Sequence, residues 1–204
     1  MSTQITPTSE LQAVNAMLGA IGMAPLNSLN DAATADVVTA RRMLMQESLA
    51  LQAKGWHFNT EYDYPLVRDM NQQIRVPANV LRVDLDQSRF GGRYDIVQRG
   101  QRVYDKRRRS YQFDENLKAV VVLGLPFEEL PQSARWYVTV RAARKFQDEL
   151  VGDDSQHSFK ERDEFDAWAA FKEFEGDTAD HSIFDNYDTA SIIIDRGGPM
   201  RWND

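Results

Sequence analysis

Cysteine is missing altogether from the 204 residues, which excludes a disulfide framework, a thiolate nucleophile, Cys-ligated zinc and iron–sulfur clusters. Long apolar runs are missing too. The longest strand-sized stretches, Ala119–Leu125 and Ile192–Ile194, fall far short of the roughly 18 residues that span a bilayer. Met1–Pro7 has neither a basic n-region nor an apolar h-region, so no signal peptide is expected. There is no G-x-G-x-x-G, no Walker loop and no G-x-S-x-G, and Gly91-Gly92 and Gly197-Gly198 are too short to cradle a phosphate. What is present is ordinary globular composition: 42% hydrophobic and 27% charged residues. A chain of this length buries roughly 70% of its unfolded surface and needs no covalent or metal staple. These features predict a soluble protein made in a cytosol.

The formal charge of −7 hides a separation of sign. Residues 1–146 carry 19 basic and 15 acidic side chains, a balance of +4, whereas residues 147–204 carry 5 and 16, a balance of −11. Within the first part, residues 68–109 hold 11 basic and 5 acidic residues. Such asymmetry points to complementary partner surfaces, because large like-charged fields repel their own copies.

Periodicity divides the chain into helical ends around a strand-rich middle. Ser9 with Gln12 forms a capping-box pattern, Leu11, Val14, Leu18 and Ile21 keep helical spacing, and Gly22 with Pro25 marks the stop. Ala13, Ala16, Gly19 and Ala20 offer a neighbouring helix close approach. A second helix is expected from Asn30 or Asp31 through Val38, Met45, Leu49 and Gln52 to Gly55, which suits a left-handed C-terminal cap. Trp56, Phe58, Tyr62 and Tyr64 then alternate as in a strand, as does Val80–Leu85. Turns at Phe90-Gly91-Gly92 and Arg99-Gly100 frame a hairpin of Tyr94–Val97 with Arg102–Asp105, and Tyr111–Phe113 and Val120–Leu123 add two strands. Pro131 opens a third helix with Trp136, Val140, Ala143, Phe146 and Leu150 on one face. Ser155 caps a fourth bearing Phe159, Phe165, Trp168, Phe171 and Phe174, closed by Gly176. The predicted fold is α+β: an antiparallel four-helix bundle of two helical hairpins (residues 1–55 and 126–176), an inserted antiparallel β-sheet or barrel (56–125), and an extended C-terminal tail (177–204).

Chemically suggestive residues are few, and each has a plain structural reading. His57, between Trp56 and Phe58, reads as a packed or surface histidine before it reads as a general base. Asp153, Asp154, His157 and Glu161 have the spacing for a shared cation, yet acidic residues also belong in a first helical turn. Glu128 and Glu129 before Pro131 form either a carboxylate pair or a helix-entry signal. The run Lys106-Arg107-Arg108-Arg109 suits phosphates, an acidic protein surface or a solvated loop. Overall acidity argues against free nucleic-acid binding.

The segment from Glu10 to Leu18, with Ile21-Gly22 and Pro25, resembles the opening of the tail tubular protein A family of short-tailed phages, the head-to-tail adaptors or gatekeepers. Ala40-Arg41-Arg42 continues the pattern, as do Gln52, Gly55-Trp56, Phe58-Asn59 and Glu61. So do Val103-Tyr104-Asp105 and Phe127-Glu128-Glu129-Leu130-Pro131, followed by Ala143, Arg144 and Phe146, in collinear order from residue 9 to 176. The resemblance implies a structural virion protein of the phage tail, assembled in the host cytoplasm, with no catalytic residue, cofactor, metal or membrane binding of its own. It implies a homo-oligomeric ring, a dodecamer in the virion, that joins the portal to the tail nozzle (tail tubular protein B). The ring helps to seat tail fibres and passes double-stranded DNA at ejection. Candidate partner contacts are Lys106, Arg107, Arg108, Arg109, Ile192, Ile193, Ile194 and Arg196, with the portal meeting the bundle and tail and the nozzle meeting the sheet side. An acidic channel lining would keep DNA from sticking. The competing expectation is a tail-associated glycan hydrolase pairing Glu128 or Glu129 with a residue of the fourth helix.

Overall fold

The computed structural model describes residues 6–30, 34–85, 90, 92–150 and 154–178, with backbone alone for 154–161. Helix α1 (Glu10–Ala20) begins as its sequence demands. Ser9 Oγ accepts from the Gln12 N–H (3.2 Å) and Gln12 Oε1 accepts from the Ser9 N–H (3.0 Å), completing the capping box. At its far end Gly22 sits at φ +76°, with the Gly22 N–H on the Gly19 carbonyl and the Met23 N–H on that of Leu18. That paired closure is a Schellman motif, and only glycine adopts its left-handed residue without strain.

Helix α2 (Ala35–Gln52) starts later than Asn30 or Asp31, at the N-cap Thr34. Asp31 lies outside the described residues, and the Asn30 N–H closes a local turn on the Ser28 hydroxyl (3.1 Å), an alternative that competes with helix entry. Of the residues that trace this helix in the sequence, only Gln52 faces inward. Val37, Leu44 and Leu51 are buried, whereas Val38, Met45 and Leu49 are 57%, 64% and 42% exposed. Adjacent residues differ by about 100° around a helix, so a choice one position off selects a different face.

After α2 a 3-10 turn over His57–Asn59 precedes strand β1 (Thr60–Leu66). Trp56 and Phe58 are therefore not strand residues: both pack against the helical core. Strand β2 (Val80–Leu85) follows, then the hairpin β3 (Ile96–Arg99) and β4 (Arg102–Asp105), and finally β5 (Leu117–Leu123). Among the described residues the first, second and fifth strands form an antiparallel sheet of order β1-β5-β2, and β3-β4 is a separate two-stranded ribbon. Tyr111–Phe113 forms no strand, only a bridge from Gln112 to Gln73, because Phe113 turns into the β-side core. That core joins Leu66, Val83, Leu85, Val103, Phe113, Leu117, Ala119 and Val121 from both sheets.

Helices α3 (Gln132–Leu150) and α4 (Asp154–Thr178) complete the bundle. Glu47 of α2 is nearly buried and satisfied twice on α3, by Arg141 Nε (2.6 Å) and Lys145 Nζ (2.5 Å). Arg144 pairs with Glu164 (2.6 Å) while Tyr137 stacks on Phe171, so residue numbers rise on one helix as they fall on the other. On α3 the inner face is Ala134, Tyr137, Val138, Ala142 and Phe146, while Trp136, on the face first expected inside, is 51% exposed. Gly176 does not close α4, which continues to Thr178. The buried Glu175 anchors that last turn by accepting the His57 N–H (2.9 Å).

The two regions meet where the chain leaves and re-enters the bundle. Gln52, fully buried, donates to the Leu125 carbonyl (3.1 Å) and accepts the Leu125 N–H (2.7 Å). Asn59 donates to the carbonyls of Gln52 (2.9 Å) and Leu123 (2.7 Å) and accepts the Trp56 N–H (2.9 Å). Gly55 lies between them at φ +78°, as its sequence position suggested, where an added Cβ would meet the Arg82 guanidinium at 2.7 Å. Asn59→Ala removes the acceptor of the Trp56 N–H and one donor each from the Gln52 and Leu123 carbonyls, and should cost about 1–3 kcal/mol in urea or thermal unfolding. A change below about 0.5 kcal/mol would show that solvent replaces those bonds.

Candidate functional site

The basic run Lys106–Arg109 occupies a closed loop rather than an open brush of cations. Asp105 and Ser110 exchange both backbone hydrogen bonds (2.8 and 3.1 Å) across it, and Arg109 turns the corner at φ +53°. The buried Asp105 carboxylate organises the loop from within, accepting the N–H groups of Asp95 (3.2 Å) and Arg107 (3.0 Å), with Arg108 Nε 3.8 Å from its other oxygen. Three of the four cations are tied down. Lys106 pairs with Asp95 (3.2 Å), Arg107 donates to the Gly92 carbonyl, and Arg108 pairs with Asp114 and lies over the Tyr94 ring (4.8 Å). The hydrogen bond to Asp114 raises the Arg108 pKa further above its ordinary range. Burial, then Glu115, raises that of the Tyr94 phenol, which stays protonated and donates to Glu115 (3.4 Å).

Beside this loop the β3-β4 ribbon carries stacked cations and rings. Arg99 lies 3.6 Å from the Tyr104 centroid, Arg102 lies 4.3 Å from that of Tyr111, and the two tyrosines meet edge to face at 4.8 Å. The ribbon's shape is legible in its turn: Gly100 at φ +60° matches the left-handed geometry that a tight hairpin requires. In the bundle, burial opposes the charge of Arg141, but the Tyr137 hydroxyl and Glu47 carboxylate outweigh it and hold its pKa high.

The remaining candidates take structural roles or fall outside the described residues. His57 is exposed, and its backbone serves α4. Glu128 accepts the Glu10 N–H (3.2 Å), and its carbonyl accepts from Arg135. The crevice that Glu128 lines is framed by α1, α2 and Leu125–Phe127, with no α4 residue among the described ones. Glu129 shares the 3-10 turn Phe127–Glu129. Asp153 and the side chains of Asp154, His157 and Glu161 lie outside the described residues, as do Ile192, Ile193, Ile194 and Arg196. Among the described residues no three His, Asp or Glu side chains gather to hold a metal, and no helix is long and apolar enough to cross a membrane. What sequence reasoning missed is the apolar outer stripe of α2, Val38, Met45 and Leu49. Its signal is the doublets Val37-Val38 and Leu44-Met45, seven residues apart: one member of each faces the core and the other faces out.

The described residues form a helical bundle with an attached β region, an outward apolar stripe on α2 and a braced basic loop. The model of the tail tubular protein family matches residues 11–181, and the chain belongs to that family. It is 27% identical over 156 residues to tail tubular protein A of Klebsiella phage KP34, covering 76% of this chain and 81% of that protein. It is thus a structural component of the phage tail.

Two substitutions separate loop architecture from loop charge. Arg109→Gly relieves a left-handed residue that costs about 1 kcal/mol and should preserve or raise the melting midpoint. A fall of several degrees would show that the Arg109 side chain braces the fold. Replacing Lys106–Arg109 together by Ala should lower incorporation into tails while the far-ultraviolet circular dichroism stays the same. Unchanged incorporation would assign the run to a solvated loop.

Proposed function

We propose that this chain is a head-to-tail adaptor of a short-tailed phage. It forms a homo-oligomeric ring, a dodecamer in the virion, between the portal and the tail nozzle formed by tail tubular protein B. Portal contacts fall to the helical bundle and the C-terminal tail, and nozzle and fibre contacts to the β region with its braced basic loop. Double-stranded DNA passes through the ring at ejection, and the acid-rich C-terminal part of each copy faces it, where like charge prevents adhesion. The observation that carries this reading is the family match over residues 11–181, a span that includes both the bundle and the β region. Two separate hydrophobic cores support it, because each region keeps its shape while its outer surface docks on a different neighbour. Assembly in a reducing cytosol is compatible with a chain that holds together by packing and has no cysteine.

Negative-stain imaging of the purified chain, alone and with portal, tests the proposal. Rings seated coaxially on portal are expected. A chain that stays monomeric and never binds portal would overturn it.

A further inference from the structure

We propose that neighbouring copies of this chain join head to tail through two different surfaces of the bundle, the α2 ridge of one copy seating in a groove between α1, α3 and α4 of the next. The proposal rests on the adaptor-ring reading and names the surfaces that would build the ring.

The ridge is the stripe of Val38, Met45 and Leu49, spaced by seven and four residues so that they align along one side of α2. All three are exposed although the same helix buries a full second face. The groove has a volume of about 530 Å³ and lies elsewhere on the bundle; no residue lines both surfaces. Its floor is small: Ala16 and Ala20 of α1, Ala143 of α3, and Ala170 of α4. Trp136 and Val140 form a larger apolar wall. Alanines on three converging helices leave a trough that larger side chains can enter, and ridge-into-groove packing of this kind brings helix axes to about 8–10 Å. A row of exposed Val, Met and Leu side chains has the matching polarity.

Charge selects this pairing over the symmetric ones. Arg42 stands on the ridge between Val38 and Met45, exposed and with no carboxylate partner among the described residues, while the adjacent Arg41 is held by Glu10 (2.9 Å). On the groove rim, Asp163 and Asp166 are exposed and likewise have no cationic partner among the described residues. Ridge against groove brings Arg42 to these carboxylates. Ridge against ridge would oppose two Arg42 side chains, and groove against groove would leave both troughs empty. Because the two surfaces are distinct, each copy can use both at once, and a heterologous contact of this type closes into a ring when its rotation permits.

The absence of native cysteine makes the test direct. Met45→Cys and Val140→Cys are introduced together and singly into the full chain, incorporated into tails, and treated with a short bismaleimide cross-linker. The double variant should give a ladder at integral multiples of the chain mass. A mixture of the two single variants should stop at the dimer, and neither single variant alone should cross-link. Cross-linking of Met45→Cys to itself, or monomer alone from tails that image as rings, would overturn the surface assignment while leaving the adaptor reading standing. Absence of rings would overturn both. As a second measurement, Arg42→Asp should reduce incorporation at least tenfold with unchanged circular dichroism, and adding Asp163→Arg and Asp166→Arg should restore it. No recovery in the combined variant would also count against the pairing.

Discussion

Two buried amide side chains, Gln52 and Asn59, hold together the point at which this chain leaves its helical bundle and later returns. A sheet inserted between two helical hairpins must bring its entry and exit segments side by side, and both carry backbone groups that water cannot reach. Gln52 satisfies the N–H and carbonyl of Leu125 at once, and Asn59 bridges the end of α2 to the end of β5 through the carbonyls of Gln52 and Leu123. Inside a low-dielectric junction such bonds are costly to leave unmade, so they specify one orientation where apolar contact alone would allow sliding. Trp56 then carries the constraint into the core, its indole donating to the Leu51 carbonyl (2.8 Å) while its ring meets Phe171 and Trp168 edge-on. The last helix is thereby docked by the same few residues that position the sheet.

The charge pattern acquires a different meaning in three dimensions. Part of the sign separation between residues 1–146 and 147–204 is neutralised within the bundle, where Arg144 meets both Asp148 and Glu164, and Arg141 also approaches Glu164 at 3.7 Å. The basic run is likewise quieted by Asp95, Asp105 and Asp114 on neighbouring turns. Among the exposed charges without an ion-pair partner among the described residues are Arg42 on one flank and Asp163 with Asp166 on another. Opposite signs on separate faces suit contacts between unlike surfaces better than a uniform field attracted to any anion.

Much of the architecture was legible because local chemistry specifies it. The Ser9–Gln12 box, the helix stop at Gly22, the left-handed Gly55, the turn at Gly100 and the alternation in Arg82–Leu85 all depend on near neighbours and appear as expected. The α+β class followed from the change of period between ends and middle. Two of the errors share an origin. Trp56 and Phe58 keep strand spacing but belong to the bundle core, and Gly176 carries a stop signal that the Glu175 anchor overrides. In both cases a distant residue outweighed a local preference.

The candidate surfaces divide the same way. By itself the amino-acid sequence determined both ends of α1, the glycine turn after α2, the hairpin, the absence of thiol chemistry and, through collinear resemblance, the family. It also placed a basic run at 106–109, since adjacent cations are visible in any conformation. Only the tertiary structure decided that this run is a braced loop, that α2 turns Val37 inward and Val38 outward, and that alanines from α1, α3 and α4 converge on one groove. The reason is geometric: an apolar doublet offers two equally plausible helical faces, and the choice between them is made by whichever helix packs there.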